Sequence, residues 1–219
     1  MPATKQKKKD MRSYMVKTSH PSEAINQPSV KTMSLVANID QISSTVHLLI
    51  RQLMLVYLEE VLYKSFIVTE YKQQKTISKE DIMLALHNVD QSFKLSKYYH
   101  GNLDASDFNR CTKDVMQKTA INRHGSCLYV SKEGFVRTLR RLMEDKKIEM
   151  KLSKEAALYF QLITEQFAIE TLTRANIIAV NIARRNTVML SDIVVVMDLL
   201  NISMDKLPKE TKVMIQTEE

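Results

Sequence analysis

The chain has 219 residues, 44% of them apolar, and a formal net charge of +7, which suits one or two folded domains. Only three Gly and four Pro are present; this excludes a sandwich or barrel with many tight turns and favours long helices joined by short loops. The two cysteines, Cys111 and Cys127, stand in no metal-ligand spacing. With a charged rather than apolar N-terminus, they are expected to be a reduced intracellular pair without a signal peptide.

The charge is concentrated at the start. In residues 1–20, Lys5, Lys7, Lys8, Lys9, Arg12 and Lys17 face only Asp10, so five of the seven net charges lie there. Such a segment buries too little apolar surface to fold and suits a polyanion. Residues 1–26 are therefore expected to be a disordered basic tail. Pro28 then opens a short helix over 28–37, with Val30, Met33, Leu35 and Val36 as its apolar side. A long helix over 45–72 follows, roughly 40 Å at 1.5 Å per residue. It is apolar around too much of its circumference for two short helices to cover, so it needs a partner. A loop over 73–77 leads into a short helix over 79–88.

Residues 90–130 form a polar connector of mixed charge, with a helix predicted over 106–120. The three-helix pattern then returns, with a basic amphipathic helix over 131–145, a long helix over 153–182 and a short one over 190–201. Residues 203–219 are expected to be a loose C-terminal tail. No apolar run reaches the length of a membrane span, so no membrane partner is expected.

The return is visible in the residues. KTISKEDIMLAL (75–86) and NTVMLSDIVVVM (186–197) share the frame Thr76, Ile77, Asp81, Ile82 and Thr187, Val188, Asp192, Ile193, with a period of 187 − 76 = 111. In each, Thr and a β-branched residue favour a few extended positions before a new helix begins, and Ser78 with Asp81 forms an N-terminal cap. The period suits a small domain repeated once, as units 27–89 and 131–202. His47, His87 and His124 are scattered, and no nucleophile, metal cluster or phosphate loop is present. No enzyme activity, cofactor or metal is expected.

Short helix, long helix, short helix, repeated once, resembles two tandem histone folds. Residues 27–86 resemble core histone four in their Pro28, Ile42-Ser43, Tyr57-Leu58-Glu59-x-Val61 and Thr69-Glu70-x-x-x-x-Lys75-Thr76-Ile77 patterns. Residues 131–200 resemble core histone three, from Phe135, Arg137, Leu139, Arg140 and Asp145 through Ala156, Glu165 and Asn176 to Arg184-Arg185-x-Thr187-Val188 and Asp192-Ile193. One extra residue near Asn181 keeps that second match in register. The order resembles the fused histone doublets of giant DNA viruses.

The resemblance implies an all-α intramolecular handshake pseudodimer that wraps viral DNA without reading bases, through phosphate and minor-groove contacts. DNA contacts are implied at Arg184, Arg185 and Thr187, at Lys75 and Thr76, at Lys151, and at Arg137 and Arg140 on a helix face, beside Lys5, Lys7, Lys8, Lys9 and Arg12 of the tail. Arg185 has a second role as an internal clamp onto Asp192 that coexists with DNA contact, and the alternative reading of Lys75 and Lys151 is solvated charge. Implied partners are duplex DNA, a second copy through the histone-three-like half, and a second doublet of the histone-two types. The implied setting is the virion and the infected host cell, in its nucleus or a cytoplasmic viral factory. The alternative is a histone-fold subunit of a transcription-type complex that works through protein contacts. Departures from the family pattern are Asp40-Gln41 and Gln74 where arginines are usual, and Lys31 as the single cation of the first helix. They imply looser wrapping and a weaker clamp onto Asp81.

Overall fold

Helix α1 (Gln27–Val36) starts where Asn26 Oδ1 accepts the Ser29 N–H at 2.9 Å, with Pro28 in the first turn. The computed structural model describes residues 25–87 and 128–218; residues 1–24 of the expected tail, nearly all of the connector, both cysteines and the helix expected over 106–120 lie outside them. Ile25 and Asn26, expected in the tail, belong to the fold, Ile25 buried in the core and Asn26 capping α1. After α1 come strand β1 (Gln41–Ile42), the long helix α2 (Ser44–Tyr71), strand β2 (Thr76–Ile77) and α3 (Lys79–His87). The second unit repeats the order with α4 (Lys132–Asp145), β3 (Lys151–Leu152), the long α5 (Lys154–Ile177), a π-helical turn (Ile178–Ile182), β4 (Thr187–Val188) and α6 (Leu190–Leu199). Among the described residues the chain is mostly helical, and each strand is only two residues long.

The helices close alike and without glycine. Asn38, Gln73, Lys147, Arg184 and Asn201 adopt φ between 52° and 58° just past a helix end. At four of these ends the following N–H reaches five residues back: Ile39 to Ser34 O (2.9 Å), Gln74 to Thr69 O (3.1 Å), Ile148 to Met143 O (2.8 Å) and Ile202 to Met197 O (2.9 Å). These bonds satisfy carbonyls left free by the last turn. A chain poor in glycine thus still turns sharply at each loop.

The two long helices bury each other. Tyr57 of α2 stacks on Phe167 of α5 with ring centroids 4.4 Å apart, inside one core shared by both units. Two parallel strand pairs tie the ends: β1 lies on β4, with Gln41 opposite Thr187, and β2 lies on β3, with Thr76 opposite Lys151. The loop entering each long helix therefore sits beside the loop leaving the other. The same pairs date the insertion within the repeat. The offset between units is 151 − 41 = 110 at the strands entering the long helices and 187 − 76 = 111 at those leaving them. The extra residue falls inside the second long helix, and the π-helical turn, which contains Asn181, absorbs it.

The C-terminal segment corrects the expectation of a loose tail over 203–219. Ser203 caps a 3-10 turn (Met204–Lys206) by accepting the Asp205 N–H at 3.1 Å, and helix α7 (Lys209–Glu218) follows. Leu207, Thr211 and Ile215 are buried, α7 packs on α2 and α6, and Lys206 Nζ lies 2.7 Å from Glu60 Oε2. The three inward residues are spaced by four, one narrow stripe among lysines and polar residues, and this masked the helix in the sequence.

Two sets of apolar side chains stay outside. Tyr63, Ile67 and Tyr71 of α2 with Met83 and Leu84 of α3 are exposed on the first unit; Ile177, Val180 and Ile182 with Val195 and Leu199 of α6 are exposed on the second. No described helix is long and apolar enough to cross a membrane.

Candidate nucleic-acid interface

The strand pairs gather the loop residues into two groups. At the β2–β3 end the Lys151 N–H donates to Lys75 O at 2.9 Å, and Lys75, Thr76 and Lys151 are all exposed. At the β1–β4 end stand Arg184, Arg185 and Thr187, joined by Gln41, whose Oε1 accepts the Thr187 hydroxyl at 3.2 Å. Arg137 and Arg140 belong to neither pair; both are exposed on α4, and Arg137 Nε donates to Glu133 O at 3.3 Å. Lys5, Lys7, Lys8, Lys9 and Arg12 lie outside the described residues.

Each group rests on a buried aspartate at the start of the third helix of its unit. Asp192 is 3% exposed; its Oδ1 accepts Arg185 Nη2 at 2.6 Å, and its Oδ2 accepts both Arg185 Nη1 and the Met189 N–H at 2.8 Å. Arg185 Nη1 also donates to Thr187 O at 2.8 Å. The guanidinium is thereby committed to the interior, which leaves the exposed Arg184 as the outward cation of that loop. The φ of 55° at Arg184 is the same left-handed closure that ends the other helices.

Asp81, fully buried, holds the matching place in the first unit. Gln74 stands where Arg185 would fall (185 − 111 = 74) and is exposed; the ammonium of Lys72 takes over, 2.6 Å from Asp81 Oδ1. Asp81 Oδ2 accepts the Ser78 N–H and hydroxyl, both at 2.9 Å, while Ser78 Oγ accepts the Asp81 N–H at 3.3 Å. Burial alone would push this carboxyl up; the contacts to Lys72 and Ser78 more than offset it and hold it below the usual aspartate value. The clamp expected to weaken for want of an arginine at 74 is supplied from two residues earlier, by Lys72, a substitution that no spacing rule flags.

Among the described residues no group of three or more His, Cys, Asp or Glu is placed to hold a metal ion. The geometry offers exposed cations on two braced loops, a charge arrangement suited to an anion. A scan against protein-family models and a search of curated proteins each return no match for this chain.

Proposed function

We propose that this protein packages duplex DNA as a histone doublet, a histone-four-like fold fused ahead of a histone-three-like fold and clasped in one chain. The observation that carries the reading is the pair of parallel strand contacts. Each brings a loop of one unit against a loop of the other, with exposed Lys75, Thr76 and Lys151 at one end and exposed Arg184 beside half-buried Thr187 at the other. Two such ends on one folded core suit two approaches of one bent duplex, bound through phosphates and the inward minor groove without reading sequence. Arg137 and Arg140 add charge on α4, and Lys5, Lys7, Lys8, Lys9 and Arg12 of the tail add five further cations.

The exposed apolar sets suit assembly. In this reading Ile177, Ile182, Val195 and Leu199 meet a second copy through the histone-three-like half, and Tyr71, Met83 and Leu84 receive a doublet of the histone-two types. The setting that follows is a virion and the infected host cell.

Charge reversal at Arg184 and Lys151 tests the packaging role. The double variant should keep its helical circular dichroism and lose at least tenfold in affinity for duplex DNA at low salt, with a shallower salt dependence. Unchanged affinity would contradict packaging and favour the second reading, a histone-fold subunit that joins proteins in a transcription-type complex. That alternative draws its support from Asp40, Gln41 and Gln74, which leave the first unit with fewer loop cations.

A further inference from the structure

Among the described residues three acids are buried, and one of them is met by no cation. Asp81 has Lys72 and Asp192 has Arg185, whereas Glu165, 2% exposed on α5, is held by dipoles alone. Its Oε2 accepts the Tyr129 N–H at 2.8 Å, and its Oε1 accepts the Val130 N–H at 3.0 Å and Gln161 Nε2 at 2.8 Å. The same Nε2 donates to Val130 O at 2.7 Å, so two side chains of α5 grip residues 129 and 130 by their backbone. What acts on the Glu165 carboxyl is burial first, then the Gln161 amide and the two N–H groups, with no charged neighbour among the described residues. Without a cation, the interior favours the neutral acid over the carboxylate. A neutral acid needs an acceptor for its proton, and one is at hand. Gln161 Oε1 is buried and has no hydrogen-bond partner among the described residues; turning that amide over sets the oxygen against Glu165.

We propose that Glu165 and Gln161 form a pH-operated latch on residues 128–130: neutral Glu165 keeps the segment docked on α5, and loss of its proton to solvent lets the segment lift by itself. The inference does not depend on the packaging reading. Burial pushes the docked carboxyl up to about 7, while the lifted segment exposes it to water and returns it to the ordinary 4.5. A docked value above the lifted one means that the hold is complete below about pH 4.5, weakens as pH rises and is lost by about 7. Between those limits the lifted fraction grows by up to about tenfold per pH unit, and above about 7 it levels off. The lifted segment takes Leu128, buried against Leu158 and Leu162, out of its contact, so the entry to α4 loosens while the shared core stays closed.

The test is amide hydrogen exchange on the full chain from pH 5 to 8, with each rate corrected for intrinsic exchange at that pH. Protection at Tyr129 and Val130 should fall by up to about tenfold per pH unit between pH 5 and 7 and then level off. At every pH it should stay below the protection of Leu58 in the core of α2, because the latch opens without the whole chain unfolding. In Glu165→Gln, which keeps one donor and one acceptor and carries no charge at any pH, protection at Tyr129 and Val130 should be flat. His47 is untouched in that variant, so its titration is present in both proteins. Flat protection in the wild type overturns the inference, as does a pH-dependent fall that survives in Glu165→Gln. Equal protection at Val130 and Leu58 also overturns it, since only global unfolding would then expose the segment. Should Glu165→Gln not fold, titration of the Glu165 carboxyl carbon in the wild type by nuclear magnetic resonance decides. A midpoint of about 7 supports the latch, and one at the ordinary 4.5 overturns it.

Discussion

Asp81 and Asp192 hold the same place in the two units, yet different cations satisfy them. Arg185 grips Asp192 through two nitrogens, whereas Lys72 offers Asp81 one ammonium that is 34% exposed. Removing the partner of a buried carboxylate leaves an uncompensated charge, which costs 3–5 kcal/mol when the pair is fully buried. Lys72→Met should therefore cost about 2 kcal/mol in urea unfolding, discounted for the exposure of the lysine. Adding Gln74→Arg should restore most of the loss, because Arg185 occupies the matching position. A double variant as weak as the single one would show that the first loop cannot bring position 74 onto Asp81.

Glu165 sets the pH response. It is buried on α5, accepts the N–H groups of Tyr129 (2.8 Å) and Val130 (3.0 Å) and the Gln161 amide (2.8 Å), and so pins the segment that leads into α4. Burial pushes its carboxyl up to about 7 despite those bonds. A folded value above the ordinary 4.5 means that its stabilising contribution is fully present below about pH 4.5 and is lost as pH rises through about 7. Asp81 behaves oppositely, contributing above its ordinary 3.8 and losing that contribution as pH falls through its lower folded value. His47, lowered by burial and then by Lys31 and Arg51, also favours the folded state more as pH rises past its depressed value toward 6.5. The Glu165 contribution therefore shows best as a difference between proteins. From pH 6 to 8 the wild type should lose stability relative to Glu165→Gln, with a slope of at most about 1.4 kcal/mol per pH unit. Parallel urea midpoints across that range would contradict the assignment.

At the scale of elements, the helix ends carry the least expected chemistry. Gln, Lys, Arg and Asn occupy left-handed positions that glycine fills at much lower cost. Lys147→Gly should raise stability by roughly 0.5–1 kcal/mol, since it relieves the strain and keeps the closing bond from Ile148 to Met143 O; a loss of stability would mean that the lysine side chain earns its place by a contact. These ends also show what the sequence conveyed. The apolar periodicity of 45–72 and 153–182 announced both long helices, and the repeated Thr, branched residue, Asp, Ile frame marked both strands and both buried acids. The left-handed closures were illegible because glycine, their usual signal, is absent. Lys72 was illegible because its reach to Asp81 crosses a loop, and α7 because its inward face is a single sparse stripe. The extra residue near Asn181 was legible as a register break, though its form as a π-helical turn was not.

At the scale of the whole molecule, the chain supplies its own partner. Tethering turns the pairing of two units into an intramolecular event. The strand pairs at both ends, the Tyr57–Phe167 stack at the crossing and α7 lying on α2 and α6 all join the units. Packing of this kind ties the positions of the loop groups to the fold itself. The central claim, that the folded doublet bends DNA around itself, is tested most directly by nuclease digestion of the protein reconstituted on long duplex DNA, alone and with a complementary doublet of the histone-two types. The packaging account predicts discrete protected fragments, approaching roughly 146 base pairs when both doublets are present. A smear without a preferred length, alone and in the mixture, would contradict it and leave only charge-driven coating.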